Sequence, residues 1–123
     1  MEKMRKLPDA EFDIMTAVWE LESPVAANAV LKHLGKTWKI QALISLMLRL
    51  VDKGFLRTEK IGRDRVYYPL VAQEDYLKFE TNSFIKQYHN NSLIRLVNTL
   101  YDDEALTDED IDKLIEWTKE RRK

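Results

Sequence analysis

Gln41, Ala42, Ser45 and Arg49 recur at the three- and four-residue spacing that gathers side chains on one face of a helix. Their chemistry suits a nucleic-acid groove. A glutamine amide can hold an adenine edge through two hydrogen bonds, and an alanine methyl can meet a thymine methyl. The Ser45 hydroxyl can donate to or accept from a base or a phosphate. Arg49 lies about two turns beyond Gln41, which suits a phosphate better than a base. Further along, Arg63 and Arg65 flank Asp64 directly after Gly62. Alternation about Asp64 would send both guanidinium groups to one side, where they could probe phosphates or a minor groove.

These side chains need elements to position them. Residues 38–54, from Trp38 to Gly54, read as a helix closed by glycine. Its core stripe is Leu43, Met47 and Leu50, with Leu46 or Val51 beside it, and Gln41, Ser45, Arg49 and Asp52 occupy the opposite face. Residues 55–60 read as a strand, 61–65 as a tight basic turn in which Gly62 can take a positive φ, and 66–71 as a second strand. A helix followed by a two-stranded ribbon with a cationic tip is the geometry of a winged helix-turn-helix. Upstream, Ile14, Met15, Val18, Trp19 and Leu21 form one helical stripe; Pro8 and Asp9 suit its first turn, and Ser23-Pro24 breaks it. Val25 to Leu34 reads as a second, short helix stopped by Gly35.

After the ribbon the pattern returns to helix. Gln73 to His89 carries Tyr76, Leu77, Phe84, Ile85 and Tyr88; Leu93, Ile94, Leu96, Val97 and Leu100 make a second apolar segment. Asp102-Asp103-Glu104 reads as a loop or a helix start. Thr107 to Asp110 has capping-box spacing, followed by the stripe Ile111, Leu114 and Ile115. Three short helices with wide apolar stripes enclose too little area to fold comfortably alone. The expected partner is a second copy of the chain. The dimerisation set is therefore Tyr76, Leu77, Phe84, Ile85, Tyr88, Leu93, Leu96, Val97, Leu100, Ile111, Leu114 and Ile115. The expected fold class is mainly α with a small β-hairpin: a winged helix-turn-helix over 1–72 and a helical dimerisation region over 73–123. The junction at Val71-Ala72-Gln73 has no Gly/Ser linker.

Composition bounds the rest. At 123 residues the chain is one ordinary domain or a small domain with an appendage. It has no cysteine, which excludes disulfides, zinc-cysteine sites and thiol catalysis and fits a reducing cytoplasm. No apolar run approaches the roughly 20 residues that span a bilayer, and Met1 to Lys6 leads into no apolar signal core. Net charge is −1, yet residues 32–65 hold nine Lys/Arg against three Asp/Glu, while 73–123 hold eight against twelve. The positive charge sits where the helix and ribbon are expected, as a phosphate backbone would need. The three glycines are too scattered to cradle a phosphate, and His33 and His89 have no ligand-spaced companions. The acidic runs 102–104 and 108–110 lack the glycine and glutamate spacing of a calcium loop. Neither an enzyme, nor a cofactor, nor a metal site is expected.

In order and spacing, these segments resemble the penicillinase-repressor family of bacterial transcription factors, which includes the beta-lactamase and methicillin-resistance repressors and has copper-transport repressors as cousins. The resemblance runs from about Leu7 to Arg122. It rests on Ala10 to Met15 with Trp19 four residues on, Ser23 to Val30, Arg49 to Leu56 around Lys53-Gly54, and Tyr67 to Val71. It implies a cytoplasmic homodimeric repressor, tied to antibiotic resistance, on palindromic operators with TACA/TGTA-like half-sites. Its DNA-facing set would be Lys39, Gln41, Ala42, Ser45, Arg49, Arg63 and Arg65. It also implies release by a protease linked to a membrane sensor. Family members are cut at an Asn-Phe bond, and the nearest candidate here is Asn98-Thr99. Copper induction in the cousin branch uses a cysteine-rich tail, which this chain lacks.

Two other readings compete. Ile44 and Leu48 put apolar surface on the third helix, as a winged helix that binds protein and has lost DNA would do. Alternatively, Tyr76, Phe84 and Tyr88 could line a ligand pocket between the C-terminal helices.

Overall fold

A computed structural model describes residues 4–35 and 37–122. Residues 1–3, the start of the Met1 to Lys6 segment, lie outside the described residues, as do Lys36 and Lys123. The chain divides into two compact units, Met1–Glu80 and Thr81–Lys123.

The first unit opens with α1 (Asp9–Glu20), which starts one residue after Pro8; the Pro8 carbonyl accepts from Phe12 N–H at 2.9 Å. The strand β1 (Val25–Ala26) leads into α2 (Ala27–Leu34), which Gly35 ends at φ 101°. Then come α3 (Ile40–Asp52), β2 (Leu56–Ile61) and β3 (Asp64–Pro69), and the first half of α4 (Gln73–Tyr88). The sheet is antiparallel in the order β1-β3-β2. Mainly α with a small sheet is the expected class, with one addition: the ribbon gains a third strand. Val25 pairs with Tyr67 and Ala26 with Val66. The expected helix from Val25 therefore starts two residues later, because those two residues are held extended against β3. Trp38 was expected to begin the third helix. It lies before α3 in non-helical chain, with its ring partly buried against the core, and Lys39 takes the N-cap position.

The core follows the apolar stripes. Ile14, Met15 and Val18 from α1, Val30 from α2, and Leu43, Met47 and Leu50 from α3 are buried together with Phe55, Leu56 and Tyr67 of the ribbon. Tyr76 of α4 closes this core. Its ring lies 5.6–6.1 Å from those of Phe12, Trp19, Phe55 and Phe79, and its hydroxyl accepts from the Leu7 backbone N–H at 2.7 Å. The indole N–H of Trp19 donates to the Val71 carbonyl at 2.9 Å. One charge is buried as well. Glu11, only 2% exposed, is ion-paired to Lys53, which caps the C-terminus of α3. That pair joins the first turn of α1 to the end of α3.

The second unit holds the rest of α4, α5 (Leu93–Asp102) and α6 (Asp108–Arg121). Ser92 caps α5 by accepting from Arg95 N–H. Thr107 and Asp110 form the expected capping box on α6, which accounts for the second acidic run as a helix start. Among the described residues, α5 and α6 bury no side chain fully. Leu93, Ile94, Leu114, Ile115 and Trp117 stand exposed.

Candidate nucleic-acid interface

The outward face of α3 carries Gln41, Ala42, Ser45, Leu48, Arg49 and Asp52, all exposed, while Leu43, Met47 and Leu50 anchor the inward face. A period of 3.6 residues puts position 41 in line with 45, 48, 49 and 52. The helix is thus presented as a rod with a polar ridge, and no side chain caps its N-terminus at Lys39. Unfilled N–H groups at such an end attract anions. Leu48 is 42% exposed on this ridge. Ile44 is half-buried and turned aside: it lines a groove with Ile40, Asn28, Arg63, Arg65 and Tyr67. The same groove therefore brings the start of α3, the start of α2 and the ribbon arginines together.

The ribbon is closed by Gly62 and Arg63 between the last pair, Ile61 and Asp64; Gly62 supplies the positive φ of 63°. Arg63, Asp64 and Arg65 are all exposed. Register places Lys60 directly opposite Arg65, and Thr58 opposite Tyr67. Alternation puts these four on one face. The Arg65 guanidinium donates weakly to the Thr58 hydroxyl at 3.4 Å, and the latter donates to the Val66 carbonyl at 3.0 Å. Burial raises the Tyr67 phenol above its ordinary pKa, opposed by the Arg65 charge and the Thr58 hydroxyl beside it. On the other face, Arg57 pairs with Glu59 at 3.1 Å and stacks over Tyr68 at 3.9 Å.

Ion pairing sorts the cations counted between 32 and 65. Lys53 is engaged by Glu11 and Arg57 by Glu59. Among the described residues Lys39, Arg49, Lys60, Arg63 and Arg65 form no salt bridge. Lys60 was missed in reading the sequence. The turn expected over 61–65 is confined to Gly62-Arg63; Ile61, Asp64 and Arg65 are drawn into the strands, which puts position 60 across from position 65.

The dimerisation set divides by burial. Leu77, Phe84, Tyr88, Leu93, Leu100, Leu114 and Ile115 are exposed, and Ile85, Leu96, Val97 and Ile111 are half-buried. Tyr76 departs from the expectation: it is fully buried within the first unit, so it has no surface to give a second chain or a ligand pocket. Its place follows from Leu7 and Phe12, far upstream. Tyr101 and Trp117 are exposed large rings that the set omitted, though each continues a helical spacing, from Val97 and Leu114. Asn98 and Thr99 are exposed on α5, where the Thr99 hydroxyl donates to the Arg95 carbonyl at 2.9 Å. No helix of the described residues is long and apolar enough to cross a membrane.

Comparison with known proteins agrees with this geometry. A family model described as penicillinase repressor matches residues 7–120. A penicillinase repressor of Bacillus licheniformis is 32% identical over 124 aligned residues, covering 99% of this chain and 96% of that protein. The methicillin resistance regulatory protein MecI of Staphylococcus aureus (strain N315) is 27% identical, covering 91% and 92%. Among solved structures, the DNA-binding domain of the repressor BlaI superposes with a TM-score of 0.53 at 36% identity, covering 62% of this chain and 94% of that one. The monomeric form of Bacillus licheniformis BlaI in complex with the blaP half-operator gives 0.50 at 36% identity, with the same coverage.

Proposed function

This chain belongs to the penicillinase repressor family, and on that premise we propose that it is a DNA-binding transcriptional repressor whose first unit holds operator DNA. The observation that carries the reading is the single groove joining the start of α3 to Arg63 and Arg65, beside the polar ridge of α3. A rigid helix that fits a major groove and a charged ribbon for the adjacent backbone are the two parts such recognition uses. Gln41, Ala42 and Ser45 are the base-facing candidates. Lys39 and Arg49, with Arg63 and Arg65, supply charge for phosphates.

The working form in this proposal is a homodimer in the cytoplasm. The exposed apolar rows on α5 and α6 support it, since a unit without an interior gains one by pairing. Two-fold symmetry would then present two α3 helices about one turn of DNA apart, which matches a palindromic operator. Residues 73–123 serve as the dimerisation region, and a sensor-linked protease acting near Asn98-Thr99 would release the operator. The ridge composition weighs against a module that has lost DNA: Leu48 is a lone exposed leucine among polar neighbours, and single apolar residues do not make a docking patch.

The test is a titration of the full chain against a duplex bearing an inverted TACA/TGTA repeat and against its scrambled form, over a range of salt. Affinity should favour the repeat and fall steeply with salt. Replacing Arg63 and Arg65 with alanine should weaken both complexes alike, whereas Gln41→Ala or Ser45→Ala should narrow the difference between them. Equal, salt-insensitive binding to both duplexes refutes the reading.

A further inference from the structure

The two faces of the ribbon differ in how their charge is balanced. On the outer face Arg57 is neutralised by Glu59 and lies over Tyr68, and Asp64 stands across from Ile61. On the inner face Lys60 and Arg65 are direct cross-strand partners, both exposed, and neither forms a salt bridge among the described residues. Like charges directly opposite one another in a ladder destabilise it. Arg65 finds only a neutral hydroxyl, that of Thr58, at 3.4 Å. The inner face is also the one that carries Tyr67 down into the groove beside Ile40 and Ile44 at the start of α3. Arg65 lines that groove together with Arg63 and Asp64, and Lys60 stands directly across the ladder from Arg65.

Resting on the reading of this unit as a DNA-binding domain, the geometry points to Lys60 and Arg65 as a two-cation clamp for one DNA backbone phosphate on the inner face of the wing. A phosphodiester oxygen between the two side chains supplies the negative charge that this face of the sheet lacks. The clamp is distinct from the tip, where Arg63 sits in the turn itself. It has a cost that can be read without DNA, because the two cations repel each other across the ladder in the free protein. Lys60 therefore trades stability of the free ribbon for affinity.

The experiment compares the full chain with Lys60→Gln, Arg65→Gln and the double variant, on the inverted-repeat duplex from about 50 to 200 mM salt. Each single variant should lower the slope of log affinity against log salt, and the double variant should lower it by about 0.9 per protomer in all, because the pair neutralises one phosphate. Lys60→Gln should also raise the thermal midpoint of the free protein. A slope unchanged by Lys60→Gln, with the wild type still binding in a salt-dependent way, overturns the clamp alone. A lower slope with a reduced midpoint overturns the repulsion that motivates it. Absence of salt-dependent DNA binding by the wild type overturns the parent reading as well. A rise in midpoint with inorganic phosphate alone, lost in Lys60→Gln, would identify a free-anion site and overturn the assignment to the DNA backbone.

Discussion

Replacing Lys53 with methionine should be among the most damaging single changes in the first unit, although Lys53 is only the cap of a helix. The substitution keeps the length of the stem and removes the charge, leaving the Glu11 carboxylate at 2% exposure without its cation. Breaking a buried pair in this way costs about 3–5 kcal/mol. The Lys53 side chain retains 25% exposure, so water can reach part of the site, and the lower end, about 3 kcal/mol, is expected. For a unit of this size each kcal/mol moves the midpoint by about 4–8 °C, giving a fall of at least about 12 °C. The assay is urea and thermal unfolding in a Trp117→Phe background, so that fluorescence reports only Trp19 and Trp38 of the first unit. The companion variant, Glu11→Leu with Lys53→Met, should regain most of the loss, because a buried pair replaced by apolar groups is often neutral. A loss below about 1 kcal/mol for Lys53→Met, or no recovery in the double variant, refutes the view that Glu11 is held by this lysine; surface pairs are worth no more than that. DNA binding should weaken in step with unfolding, since the pair ties the end of α3 to α1.

Tyr76→Phe should cost about 1–3 kcal/mol, because the buried Leu7 N–H loses its acceptor; chemical denaturation measures it. The Tyr76 phenol is pushed up to about 12, first by burial and then by the Glu80 carboxylate, from an ordinary value of 10.0. Its contribution is intact below pH 10 and is lost as pH rises from 10 through 12, so alkaline unfolding curves of wild type and Tyr76→Phe should converge over that window. Thr107→Ala removes the capping box of α6 and should lower helical stability by about 1 kcal/mol, read by circular dichroism. Ile94→Glu with Ile115→Glu should convert the proposed dimer to monomers in sedimentation equilibrium. A wild-type protein already monomeric at micromolar concentration would sink the dimer.

The parts legible in the sequence were those written in local period. Leu43, Met47 and Leu50 at helical spacing fixed the inward face of α3, and hence its ridge, without any partner being known. The turn at Gly62 and the capping box at Thr107 are likewise short-range signals. What escaped depends on distant chain. Val25 and Ala26 are too few to show alternation, and they are strand only because β3 lies alongside. Tyr76 looked like one more apolar residue of a C-terminal helix, yet its neighbours are Leu7, Phe12 and Phe55. A carboxylate at position 11 reads as an ordinary first-turn acid; its burial is set by Lys53, 42 residues later.

The completeness of the first core has a consequence for any cut made beyond it. Its buried residues end at Tyr76, with Phe79 packed against them, so severing the chain within α5 takes nothing from that interior. The fragment should keep its fold and the proposed DNA-facing residues, and lose only the tether to the proposed second copy. Two linked binding modules can exceed either alone by roughly 10²–10⁴ in strength through effective concentration. A single nick could thus empty an operator by subtraction of valence, with every contact residue still intact.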